Sequence, residues 1–150
     1  MKTPAVCALL LVATLLSGCG RDSMSEIGFS LPPGDPQAGR EAFLYMQCNQ
    51  CHTVYGEELP EVPFAEDSPY VQLGGPVTSI KTYGQLVTSV INPSHELAEG
   101  YAKDVVSEDG ESNMYIYNRY MTVQELIDIV MFLQPHYDVV VPNTSYRIYP

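Results

Sequence analysis

An all-α domain is predicted from three apolar segments of helical period, each bounded by a start or stop signal. The first begins at Asp35-Pro36, where Asp35 can cap a helix and Pro36 takes its first position, whose N–H has no helical partner anyway. This helix runs through Gly39, Ala42, Phe43 and Met46 toward Cys48. Residues 54–75, rich in Pro, Glu and Tyr, read as a long surface loop. The second helix covers residues 80–91, with Leu86, Val87, Val90 and Ile91 on one face, and stops at Asn92-Pro93. Periodicity weakens over residues 94–113, with a turn expected at Asp109-Gly110. The third helix opens on the capping box Thr122-Val123-Gln124-Glu125, continues through Leu126, Ile127, Ile129, Val130, Phe132 and Leu133, and ends at Gln134-Pro135.

The 150-residue chain suffices for one domain of ordinary size once its N-terminal segment is set aside. Lys2 precedes an apolar run over residues 6–16, which as a helix spans only about 16 Å against a hydrocarbon core of roughly 30 Å. A basic start, a short apolar run and then small residues describe an export signal over residues 1–18. Its end, Leu16-Ser17-Gly18-Cys19, resembles a bacterial lipobox, which implies cleavage before Cys19 and acylation of that residue. Ordinary cleavage, leaving a free exported thiol, is the alternative. Gly20 after the acylated cysteine favours the outer membrane in a Gram-negative cell; otherwise the anchor faces the periplasm or exterior. Residues 19–34 are polar, carry Pro32-Pro33-Gly34 and read as a tether, followed by a domain over residues 35–134. Residues 135–150, with Val139-Val140-Val141 and three tyrosines, form an extended tail across the domain or toward a partner.

The net charge of −11, made more negative when Lys2 leaves with the signal, argues against nucleic acid or anionic headgroups as ligands. It favours basic partners, steered electrostatically, although solubility alone is a sufficient use of such a surface.

Cys48-Asn49-Gln50-Cys51-His52 carries the chemistry. Two thiols separated by two residues, with histidine directly after, let one turn of chain reach both vinyl groups of a haem while the imidazole enters beneath the iron. A zinc site would need further ligands, and only His95, His136 and scattered carboxylates remain. A redox dithiol normally follows a strand, not an amphipathic helix. With Cys7 lost in the signal and Cys19 lipidated, no cysteine pair is left for a structural disulfide.

The order helix, CxxCH, long loop, helix, irregular methionine-bearing stretch and C-terminal helix resembles the class I monohaem cytochrome c family over residues 35–134. The resemblance implies helices packed around one covalently attached haem c, with Gly39 and Phe43 of the first helix meeting the Phe132 face of the last. It implies that the Gly75-Pro76 pair lies below the haem, the Pro76 carbonyl accepting the Nδ1 proton of His52. For the sixth iron ligand Met114 is preferred. Met46 is too near the attachment motif, Met131 lies inside the last helix, and Met121 precedes the N-cap Thr122 as a staple residue for Leu126. Met114 stands in an irregular stretch about two turns ahead of that helix, as the family's methionine does, although Tyr115 replaces the usual following proline. Met121, His95 or an open position are the alternatives. Tyr83, Tyr101, Tyr115, Tyr117 and Lys81 are candidates to line the haem or its propionates.

Iron held between His52 and Met114 has no vacant position and passes single electrons. The reading is a lipid-anchored, non-enzymatic electron carrier, or the cytochrome subunit of a membrane respiratory complex, serving a redox donor and acceptor outside the cytoplasm. The alternative is a haem sensor or enzyme with an open sixth position, and a purely structural subunit is a third class.

Overall fold

In the computed structural model, residues 31–62, 70–79 and 81–140 are described. The segment read as an export signal, Cys19, most of the segment read as a tether and residues 141–150 lie outside them, and the described residues from 32 onward form a single unit.

Helix α1, Pro36–Tyr45, begins where Asp35 turns extended. The Asp35 carboxylate accepts from the amides of Gln37 (2.8 Å) and Ala38 (3.2 Å), satisfying two donors that the helix itself cannot. Gln47, with φ of 57°, ends it in a left-handed conformation that costs a residue with a Cβ roughly 1–2 kcal/mol. A short 3₁₀ turn, Cys48–Gln50, follows. Helix α2, Tyr83–Ile91, starts from a complete capping box in which Thr82 and Gln85 satisfy each other's backbone amides. The one-turn helix α3, Lys103–Val106, leads to α4, Val123–Leu133, the longest helix among the described residues. The capping box that opens α4 is present as read: Glu125 Oε2 accepts from Thr122 N at 2.7 Å, and Thr122 Oγ1 accepts from Glu125 N at 3.2 Å.

The core is the crossing of α1 and α4. Gly39, Ala42 and Phe43 are buried from α1, and α4 buries Leu126, Ile127, Asp128, Ile129, Val130, Phe132 and Leu133. At the crossing a Cβ on Gly39 would overlap the Asp128 carbonyl, so a bare backbone sets the approach of the two helices. One turn further on, Phe43 and Phe132 meet edge to face at 5.8 Å. The buried Asp128 carboxylate is satisfied across the crossing: it accepts from Asp35 N at 2.8 Å and from Gln124 Nε2 at 2.9 Å, tying the start of α1 to α4.

The all-α expectation is corrected, because the domain is mixed α/β. Strands β1, His52–Val54, and β2, Val71–Leu73, pair in parallel. Strands β3, Gly75–Val77, and β6, Tyr137–Val139, also pair in parallel, so part of the C-terminal segment is bound as a strand. Between α3 and α4, β4, Ser107–Glu108, and β5, Glu111–Ser112, form an antiparallel hairpin. Its turn is Asp109-Gly110, both residues at positive φ (51° and 86°), the combination that a two-residue hairpin turn demands. The physical reason for the miss is length. A segment of two or three residues is too short to show a period of two, and the parallel pairs join segments about twenty or more residues apart, which only tertiary structure brings together.

Candidate haem-attachment site

Three elements converge at the CxxCH segment. The left-handed Gln47 redirects the chain out of α1, the 3₁₀ turn carries Cys48, and Cys51 closes that turn with a 3.2 Å bond from its amide to the Cys48 carbonyl. Both cysteines are free and half-buried. Cys48 packs against the core cluster of Ala42, Phe43, Met46, Val54, Ile129, Phe132 and Leu133, together with Tyr117 and Met121. Burial pushes the Cys48 thiol up to about 11; its own backbone N–H opposes the shift and the neighbouring Cys51 adds to it. At neutral pH Cys48 is therefore a protonated thiol, whereas the attacking cysteine of a redox dithiol is held below its ordinary value.

His52 opens β1 directly after the second thiol. Its Nδ1 donates to the Val71 carbonyl at 3.2 Å. The sequence reading expected the Pro76 carbonyl at that place, and this is corrected. The β1–β2 register sets His52 against Val71, while Pro76 is exposed on β3 opposite Asp138 of β6. Val71 was beyond sequence reasoning because the segment reads as loop. Burial lowers the His52 pKa, partly offset by the bond to Val71, so the ring is neutral at physiological pH. With Nδ1 engaged, Nε2 carries the lone pair, which is the state in which a histidine donates to a metal.

The candidate sixth ligands are placed differently. Met121 packs against the same core cluster as Cys48, and its amide bonds to the Tyr117 carbonyl at 2.9 Å. Met114 is half-buried just after β5, its amide bonding to Ser112 Oγ at 3.2 Å, and it is not part of that cluster. Met46 is buried in the core, and Met131 lies within α4. His95 bonds to its own turn, Nδ1 to the Asn92 carbonyl at 2.8 Å.

Of the side chains named as candidates to line the haem, Tyr117 packs against the same core cluster as Cys48. Its hydroxyl donates to the Met46 carbonyl at 2.7 Å, and burial, then the neighbouring Cys48, raise its pKa. Tyr115 lies edge-on to Tyr117 at 4.8 Å and stacks with exposed Tyr120 at 6.5 Å. Tyr101 is used elsewhere, its hydroxyl accepting from Gln72 N at 2.9 Å, and Lys81 pairs with Glu96 at 4.0 Å. The Tyr83 hydroxyl is buried without a hydrogen-bond partner among the described residues. On another side of His52 a cavity of about 460 Å³ is lined by Asn49, Thr53, Val54, Glu57, Glu58, Leu59, Glu61 and Tyr70 as well as His52 itself. None of its acidic residues was singled out from sequence, where they read as loop charges.

The donor set fits covalently attached haem: two free thiols on one turn, a neutral imidazole fixed by a carbonyl, and an apolar cluster beside the first thiol. Among the described residues no group of three or more His, Cys, Asp and Glu is close enough to hold a metal ion by itself, and no helix is long and apolar enough to cross a membrane. Comparison with protein-family models, with curated proteins and with solved structures finds no match to the chain.

Proposed function

We propose that this chain is a lipid-anchored monohaem c-type cytochrome that passes single electrons between redox proteins, or within a respiratory complex, outside the cytoplasm. The observation that carries the proposal is the CxxCH turn itself. Cys48 and Cys51 are unpaired there, and the imidazole that follows is neutral and oriented through Nδ1 by the Val71 carbonyl. Thiol addition across a vinyl group forms one C–S bond and moves the thiol proton to the neighbouring carbon. It requires reduced sulfur and no oxidant, and Cys48 meets that condition.

In this reading Cys48 and Cys51 would hold haem c, and His52 and Met114 would be the ligands to its iron. Haem supplies a one-electron couple, raised in potential by methionine sulfur. The protein's own contribution is orientation and dielectric. Val71 restrains the His52 ring and strengthens its donation. The cluster around Phe43 and Phe132 keeps water from one side of the attachment turn. Cys19 bears the acyl chains, each buried CH₂ contributing about 0.8 kcal/mol to membrane retention.

The ligand assignment is tested by a pair of variants. Met114→Ala should abolish the sulfur-to-iron charge-transfer band of the oxidised protein, lower the potential and open a position for cyanide or imidazole. Met121→Ala should keep the band but melt earlier, since truncating a half-buried methionine costs about 1 kcal/mol. If Met121→Ala loses the band, the sixth ligand is Met121, the methionine that packs beside Cys48. If the wild-type protein has no such band and binds added ligands, the iron is open and the sensor or enzyme reading replaces the carrier.

The anchor is tested separately. Cys19→Ala should move the protein from the membrane to the soluble exported fraction with its haem content unchanged, because anchor and cofactor use different cysteines. A variant that still needs detergent for release removes the lipid from the proposal.

A further inference from the structure

Residues 113–121, which carry both Met114 and Met121, are tied to the folded body at several points. Asn113 N donates to the Val106 carbonyl at 2.9 Å, and Asn118 Nδ2 donates to the Ile91 carbonyl at the end of α2 at 2.8 Å. Tyr117 makes the tie that reaches the attachment turn. Its hydroxyl donates to the Met46 carbonyl at 2.7 Å, joining residues 71 positions apart. Met46 closes α1 two residues before Cys48, with only the left-handed Gln47 between them. A carbonyl at a helix C-terminus finds no partner in its own helix, and with Met46 only 7% exposed the phenol takes the place of water.

The Tyr117 carbonyl accepts from Tyr120 N at 2.8 Å and from Met121 N at 2.9 Å, closing the turn that delivers the chain to Thr122 and α4. The ring packs against the core cluster that Cys48 and Met121 also touch. One residue thus joins the end of the helix that leads into the two thiols to a stretch with a methionine three positions before it and another four positions after. Methionine is an uncharged thioether on a flexible side chain, so its hold on a metal depends on the backbone behind it keeping its place. For an outside ligand to displace it, that backbone has to move away from the attachment turn, and the Tyr117–Met46 bond breaks as it goes.

We propose that Tyr117 is a positioning residue that latches the methionine-bearing stretch to the attachment turn and so decides how readily outside ligands reach the iron. The inference rests on the haem reading, with methionine as the sixth ligand, and adds to it a control on ligand exchange.

The test is an imidazole titration of the oxidised full-length holoprotein, solubilised in detergent and followed by the sulfur-to-iron charge-transfer band. Tyr117→Phe keeps the ring and deletes only the hydroxyl. It should carry wild-type amounts of covalent haem and keep the band, yet bind imidazole about tenfold more tightly, which corresponds to about 1.4 kcal/mol, within the range of one hydrogen bond. Tyr45→Phe removes a hydroxyl from the residue next to Met46, where the side chain is 81% exposed, and should change imidazole affinity by less than about twofold. Val87→Ala truncates the buried face of α2 and lowers the melting temperature, and it should likewise leave the affinity within about twofold, which separates a latch from general loss of stability. In the wild type, saturating imidazole should speed hydrogen exchange at the Tyr120 and Met121 amides, whose acceptor is the Tyr117 carbonyl. Unchanged affinity in Tyr117→Phe, unchanged exchange in the wild type, an equal gain in Val87→Ala, or a fall in the covalent haem of Tyr117→Phe each overturns the latch while the cytochrome reading stands. A wild-type protein without covalent haem overturns both, and one with haem but no band overturns methionine ligation and the latch with it.

Discussion

Cys48→Ser combined with Cys51→Ser is expected to yield a chain with no covalently bound haem: no peroxidase-active band on a denaturing gel, and a mass lower by one haem than that of the mature protein, after allowing for the two oxygen-for-sulfur exchanges. The expectation follows from the state of the two sulfurs. Both are free and half-buried, so each is in the reduced state that addition to a vinyl carbon needs. The cost should extend to folding, because Cys48 packs against the cluster formed by Phe43, Val54 and Phe132, and a hydroxyl there has to be hydrogen-bonded or pay for its burial. Either single variant should keep one thioether and resist denaturing extraction of the haem. A double variant that retained covalent haem would place the attachment elsewhere. A wild-type protein that carried none and formed a Cys48–Cys51 disulfide on oxidation would turn the site into a dithiol.

Gly39→Ala should lower the melting temperature by on the order of 10 °C, corresponding to about 2 kcal/mol in a domain of this size. In an isolated helix the same change is favourable by about 1 kcal/mol. Here the added methyl would overlap the Asp128 carbonyl, which is backbone and cannot turn aside as a side chain would. Separating α1 from α4 to make room would strain the 2.8 Å bond from Asp35 N to the Asp128 carboxylate and loosen the Phe43–Phe132 contact. Overpacking near the upper end of the usual roughly 1–3 kcal/mol, as a clash with backbone implies, then outweighs the propensity gain of about 1 kcal/mol. Gly84, on α2, is the control: a Cβ there meets nothing within 4 Å, and Gly84→Ala should raise the melting temperature. A Gly39→Ala protein as stable as the wild type would mean that the two helices do not cross at this point.

Short-range signals carried much of the architecture in readable form. Asp35-Pro36 starts α1, Thr122 and Glu125 cap α4, and Asp109-Gly110 turns the β4–β5 hairpin. Each works through residues within one turn of one another, so the chain's local chemistry is enough to specify it. The CxxCH segment is of the same kind, since two thiols and an imidazole within five consecutive residues form one short constellation wherever the chain goes. Tertiary structure decided what depends on distant segments meeting. The Val71 carbonyl reaches His52 because β1 and β2 pair in parallel across an intervening loop, and Pro76 is drawn away because β3 is held by β6 from the far end of the chain. Strands of two or three residues leave no periodic trace, which is why an all-α domain was expected where a mixed one is found. The acidic cavity has the same origin: Asn49 before β1 and Tyr70 before β2 share a wall with Glu57, Glu58 and Glu61 only after the chain has folded back, and no spacing of those residues along the sequence encodes it. Local bonding is settled by neighbours in the chain, whereas register, the partner of a buried imidazole and the shape of a cavity are settled by which surfaces the core brings into contact.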